Sequence, residues 1–159
     1  MSKMSESKTR SEYAGLEKRT IKSLSDEDVE ILRKGSGRVF GGLGLLAELN
    51  NYPGPMRVLD YDKELNLTDE QRKKIQDIAD EKQRESISIG EEFIAGEKHL
   101  NSHFANDAVS ETELEELLNR NAEIFGRLRY SHLIAHLKTR TSLTQEQIKL
   151  YNKLAGYSK

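Results

Sequence analysis

From Thr68 onward, large apolar residues recur at helical spacing: Ile75, Ile78, Ile89, Phe93, Leu100 and Phe104. Residues three or four apart share one face of a helix, so the pattern predicts a long helix with a single apolar stripe. Between Ala79 and Ile87 the stripe gives way to "DEKQRES". A helix polar at its waist is exposed there or meets a partner there. "ANDAVS", Ala105 to Ser110, reads as a turn. A second amphipathic helix follows through Leu114, Leu117, Leu118, Ile124, Phe125, Leu128 and Leu133, and ends near "TRTS", Thr139 to Ser142. A short connection makes neighbouring helices antiparallel, so these two predict a long hairpin. A last helix carries Ile148, Tyr151 and Leu154 and closes at Gly156.

Upstream the pattern is more broken. Ser25 is placed to cap a first helix through "DEDVEILRK", with Leu24 stapled against Val29 and Gly35 ending it. "GSGRVFGGLGLLAEL" crowds five glycines together: Gly35, Gly37, Gly41, Gly42 and Gly44. A dinucleotide-binding loop needs G-x-G-x-x-G between a strand and a helix. Here the spacing is G-x-G-x-x-x-G and nothing upstream reads as a strand. The glycines are instead expected to let a short apolar helix pack closely through Val39, Phe40, Leu43, Leu46 and Leu49. "NNYPGP", Asn50 to Pro55, is the sharpest break, and a short helix through Met56, Val58, Leu59 and Leu65 follows it. Residues 1–24 read as a flexible polar arm, and 25–159 as one helical domain.

Two nearly identical pentapeptides frame the hairpin: "LTDEQ", Leu67 to Gln71, and "LTQEQ", Leu143 to Gln147. Thr68 with Gln71, and Thr144 with Gln147, have the spacing of a capping box. In such a box the Thr hydroxyl accepts the third N–H of the helix while the Gln reaches back to the N–H of the Thr. Ser110 with Glu113 has the same form. Each cap is worth roughly 1 kcal/mol. There is no third copy between the two pentapeptides, so this is not a repeat array.

Composition supports an all-α fold. The 159 residues are 33% charged and 35% hydrophobic, and both prolines fall in "NYPGP". So thin an apolar content suits exposed amphipathic helices, or a homodimer that completes its core between chains. A net charge of −2 without a basic block argues against nucleic-acid binding. With no cysteine, disulfides, thiolate metal sites and cysteine nucleophiles are excluded. No run of apolar residues is long enough for a membrane span, and the start lacks the apolar core of a secretory leader.

"LTDEQRKKI" and "LTQEQIKLYNKLAGY" resemble the two LTxxQ motifs of the Spy/CpxP family of periplasmic proteins. "AELNNYPGPMRVL" and "GRLRYSHLIAHLKT" resemble segments of a branch described as periplasmic heavy-metal sensors. The resemblance spans roughly Ser25 to Tyr157. It implies a helical hairpin with hooked ends that dimerises into a thin curved cradle. It further implies a periplasmic location and one of two roles. The first is an ATP-independent holding and refolding chaperone or envelope-stress protein, with unfolded clients on its concave face and no cofactor required. The client surface expected there is Ile89, Phe93, Leu100 and Phe104 from one helix with Leu128 and Leu133 from the other. The second is a metal sensor or buffer.

The four histidines fall in two H-x-x-x-H pairs, His99 with His103 and His132 with His136. At i and i+4 on a helix, two neutral imidazoles can share Zn²⁺, Ni²⁺ or Co²⁺, with carboxylates completing the shell. Glu92 and Glu97 lie near the first pair in sequence. Folding the hairpin about residue 108 brings Glu81 or Glu85 towards the second. The bland alternative is packing, because His132 lies on the apolar stripe with Leu128 and Ala135. No hydrolase or metalloprotease motif is present, and Ser131 beside His132 projects from another face and makes no dyad. A non-enzymatic protein is expected.

Overall fold

The computed structural model describes residues 9–157. Among them there is no strand. Seven α-helices follow in order: α1 (Asp26–Arg33), α2 (Leu45–Glu48), α3 (Pro55–Asp60), α4 (Asp62–Leu65), α5 (Asp69–Ala105), α6 (Glu111–Thr141) and α7 (Gln145–Ala155). Helices α5 and α6, of 37 and 31 residues, form the antiparallel hairpin. At 1.5 Å per residue the longer runs about 55 Å.

Local chemistry sets the helix ends. Complete capping boxes begin α1, α5, α6 and α7, on Ser25, Thr68, Ser110 and Thr144. Gly35, at φ 69°, ends α1. Its N–H donates to the Leu32 carbonyl and that of Ser36 to the Ile31 carbonyl, so the last orphan acceptors are satisfied. Gly156, at φ 83°, ends α7 in the same left-handed region.

The hairpin keeps one register along its length. Cross-helix pairs run from Lys138–Glu81 through Ser131–Ser86 and Arg127–Glu92 to Asn121–Glu97. Small groups occupy the seam. The Ser86 and Ser131 hydroxyls are buried 2.9 Å apart. A side chain at Gly96 would collide with Asn121. Across the outer face of α5, a Cβ at Gly90 would stand 2.8 Å from the Leu32 carbonyl oxygen, so only glycine lets α1 cross there.

Apolar burial splits into two clusters. One joins Leu24, Leu32, Val39 and Leu43 to Ile89, Phe93, Ile124 and Leu128 at mid-hairpin. The other gathers Val58, Leu65, Leu67, Ile75 and Tyr151 where α3, α4 and α7 meet the start of α5.

Three expectations change. Residues 1–8 lie outside the described residues, residues 9–20 are largely exposed, and the end of the expected arm is docked. Ile21 and Leu24 are buried in the first cluster. The Lys22 N–H donates to Asn101, and the Ser23 hydroxyl to Glu97. Second, the helix expected through Val39–Leu49 is confined to the four residues of α2. Phe40, Gly41 and Gly42 all adopt positive φ, which unwinds the chain before Leu45. Third, the helix expected after "NNYPGP" breaks at Tyr61 into α3 and α4.

Candidate functional site

The two LTxxQ segments meet at the open end of the hairpin. Gln71 caps its own helix by accepting from the Thr68 N–H (3.0 Å), and Gln147 does the same for Thr144 (3.0 Å). Each amide then reaches the other. Gln71 Nε2 donates to Gln147 Oε1 (2.8 Å), and Gln147 Nε2 donates back to Gln71 Oε1 (3.1 Å). Their remaining N–H groups take the Ser142 and Leu65 carbonyls. Leu67 is buried in the second cluster and Leu143 packs against it. The motif is therefore a reciprocal lock, whose two halves cap α5 and α7 and tie them together. Arg72 extends it with a two-point bond to Asp62, 2.6 and 2.9 Å, that holds α4. Those hydrogen bonds keep the Asp62 carboxyl below its ordinary value.

Sequence reasoning missed Glu48. Its carboxylate accepts from the Gly54 N–H (2.8 Å), the Tyr157 hydroxyl (3.0 Å) and the fully buried Tyr151 hydroxyl. Burial first, and then the hydrogen bond to Glu48, pushes the Tyr151 phenol far above its usual range. One carboxylate thus gathers the ends of α2, α3 and α7. The available signal was a lone acidic residue inside the apolar run "LGLLAEL".

The two histidine pairs differ in kind. His99 and His103 are close to the turn, with their Nε2 atoms 3.2 Å apart. His103 Nδ1 stands 3.2 Å from the Ala108 carbonyl. Donation there assigns the proton to Nδ1 and leaves Nε2 with a lone pair. His132 and His136 lie far back towards the motif end. His136 Nδ1 donates to the Tyr52 carbonyl (2.7 Å) and is 3.8 Å from Glu48. His132 is only 4% exposed, and its Nε2 has no hydrogen-bond partner. Burial, then the charge of Lys82 and then His136, depress its pKa to about 4, so the ring is neutral at pH 7. Glu81 and Glu85 are not beside this pair; they line a different groove, where Glu81 meets Lys138. Among the described residues, no three metal-capable side chains converge.

The six residues expected to face clients do not form one surface. Ile89, Phe93 and Leu128 are buried in the mid-hairpin core, with Phe93 packed edge-on to Phe40. Leu100 and Leu133 are half-buried, and Phe104 is exposed. Helical phase identified the apolar stripe, but α1 and the glycine segment cover much of it. Of the six, Ile89 alone lines the open groove between α5 and α6. The groove encloses about 270 Å³ over Ile78, Ile89, Ile134 and Ala135, rimmed by Glu81, Lys82, Glu85, Arg127, Tyr130 and Lys138. Tyr130 is 64% exposed at its edge.

An all-helical hairpin whose two LTxxQ segments lock its open end defines a class. A family model described as LTXXQ motif family protein matches residues 55–155, and the chain belongs to that family. The family includes Spy/CpxP-like periplasmic proteins. No curated protein and no solved structure matches the chain. No helix among the described residues is long and apolar enough to cross a membrane.

Proposed function

We propose that this protein is an ATP-independent periplasmic holding chaperone that acts as a homodimer and binds unfolded clients without a cofactor. The observation that carries the reading is the α5–α6 groove, with an apolar floor and a rim of both charge signs. Such a surface attracts an unfolded chain through small apolar contacts. The rim charges stay solvated and limit affinity, which permits release. Tyr130, 64% exposed on α6, adds an apolar ring to the groove's edge. The test is light scattering from an unrelated unfolding client, with the metal-stripped protein at equal concentration. Suppressed aggregation supports the reading, and unchanged aggregation sinks it. Arg84→Glu, at the exposed polar waist, is expected to weaken binding of acidic clients.

A second reading, a metal sensor or buffer, is favoured by the geometry of His99 and His103. Two nitrogens bound to one tetrahedral Zn²⁺ at about 2.0–2.1 Å stand about 3.3 Å apart. The observed 3.2 Å needs almost no rearrangement. The Ala108 carbonyl orients His103 as outer partners of metal-bound histidines do. Water or a second chain would complete the shell. On this reading, calorimetric titration with Zn²⁺ or Ni²⁺ gives stoichiometric uptake that His99→Ala abolishes and His132→Ala does not. Uptake that persists in His99→Ala rules the pair out.

A further inference from the structure

The glycine-rich stretch is not accounted for by the chaperone groove or the LTxxQ lock. It folds over His132 and His136. A Cβ at Gly37 would lie 3.1 Å from His132 Nδ1, and one at Gly54 3.1 Å from His136 Cε1. A Cβ at Gly44 would collide with His136 Nε2. Glycine at these positions brings bare backbone against both rings. It leaves one wall of a cavity of about 470 Å³ without side chains.

The charge on that cavity is opposite to that of the chain. Lys34, Arg38, Arg57 and Lys82 line it, and among the described residues Glu48 is the only carboxylate that does. Glu48 already accepts from Gly54, Tyr151 and Tyr157. Lys34 is paired with Glu30. Arg38, Arg57 and Lys82 make no ion pair among the described residues. A protein of net charge −2 has thus gathered three uncompensated cations around one opening. The buried, unpartnered ring of His132 lines the same cavity. The cations also oppose a metal ion here, which separates this cavity from the histidine pair near the turn.

We propose that the cavity formed by the glycine loop, His132, His136, Lys82, Arg38 and Arg57 binds a small oxyanion, a phosphate or carboxylate group. Arg38 and Arg57 supply forked donors suited to such an oxyanion, and Lys82 supplies a point charge. His136 already donates through Nδ1 to the Tyr52 carbonyl, so its Nε2 can donate to the ligand only in the protonated ring. The inference does not rest on the chaperone reading, although Lys82 lines both the cavity and the α5–α6 groove.

The test uses the full chain and two probes, inorganic phosphate and citrate, titrated in a low-salt buffer free of both. Binding is followed by calorimetry and by the imidazole resonances of His132 and His136. Saturable binding that moves these two histidines, and leaves His99 and His103 in place, is expected for at least one probe. Preference for phosphate or for citrate then tells the two sources apart. Arg38→Gln combined with Lys82→Met should weaken binding at least tenfold. Gly44→Ala, at a backbone φ of −106° that alanine tolerates, should weaken it by pushing the His136 ring from its place. A circular dichroism melt checks that each variant is folded. Absence of saturation by either probe in the unmodified protein overturns the proposal. So does undiminished binding in a folded Arg38→Gln/Lys82→Met variant.

Discussion

The two ends of the hairpin are built from the same two helices and differ in almost everything else. At the motif end, α3, α4 and α7 wrap the start of α5, and Tyr151 is fully buried against Glu48. The Gln71–Gln147 exchange closes the lock there. At the turn end no other helix among the described residues packs on the pair, and the segment before α1 reaches only as far as Asn101 through Lys22. Phe104 is 55% exposed and Leu118 48%, and His99 and His103 face solvent beside Ala108. Stability therefore concentrates at one end, where hydrogen bonds link segments far apart in sequence. The other end is held by one capping box, on Ser110, by the hairpin seam, and by the bonds of Lys22 and Ser23 to Asn101 and Glu97. Elements of low local stability are where binding and motion are drawn from.

Tyr151→Ala should produce the largest change. It removes a fully buried ring and leaves Glu48 short of a donor, so a loss of about 3–5 kcal/mol is expected in urea unfolding. A loss below about 1 kcal/mol would mean that the motif end is not the stable half.

Next in size is a pH effect from His132. Its pKa is about 4 in the folded protein against an ordinary 6.5. Between these values the unfolded chain binds the proton and the folded chain does not. The contribution is fully present above pH 6.5 and is lost as pH falls towards 4. Its total is on the order of 3 kcal/mol, at up to about 1.4 kcal/mol per pH unit. Carboxylates add their own slope, so the check is the difference between the parent and His132→Gln. A smaller slope for the variant over this window is the expected result.

The lock should give a smaller, coupled effect. Gln71→Ala and Gln147→Ala each remove half a capping box and half the amide exchange, at a cost of about 1–2 kcal/mol. Because the two amides share hydrogen bonds, the double variant should cost less than the two losses added, by about 0.5 kcal/mol or more. Strict additivity would show that the amide exchange contributes nothing. The smallest effect is expected at the turn end. Phe104→Ala and Leu118→Ala should stay within about 0.5 kcal/mol of the parent. If aggregation assays also show no change, the turn end holds neither stability nor client contacts.

Much of the backbone was legible beforehand because helix signals are local. Thr68, Ser110 and Thr144 cap helices through residues three positions away, and Gly35 and Gly156 end them through their own φ. The hairpin followed from a long apolar period interrupted once, at "ANDAVS". The candidate sites were less legible. Ile89, Phe93 and Leu128 carry the right phase for an apolar surface, and phase cannot say which element covers it. The glycine stretch was expected to be a helix because its leucines recur at helical spacing. Positive φ at three successive residues overrode that pattern.

By itself, then, the sequence determined the helices, their ends, the hairpin and the family, each of which depends on neighbours a few residues apart or on a short motif. Only the tertiary structure decided what those elements bring together. Gln71 and Gln147 lie in separate helices and become one lock; Glu48, Tyr151 and His136 come from three elements and share one hub. The glycine loop closes over His132 from nearly a hundred positions away in the chain. Such contacts are set by how buried faces are apportioned among competing elements. That is a property of the whole packed molecule and leaves no local mark on the chain.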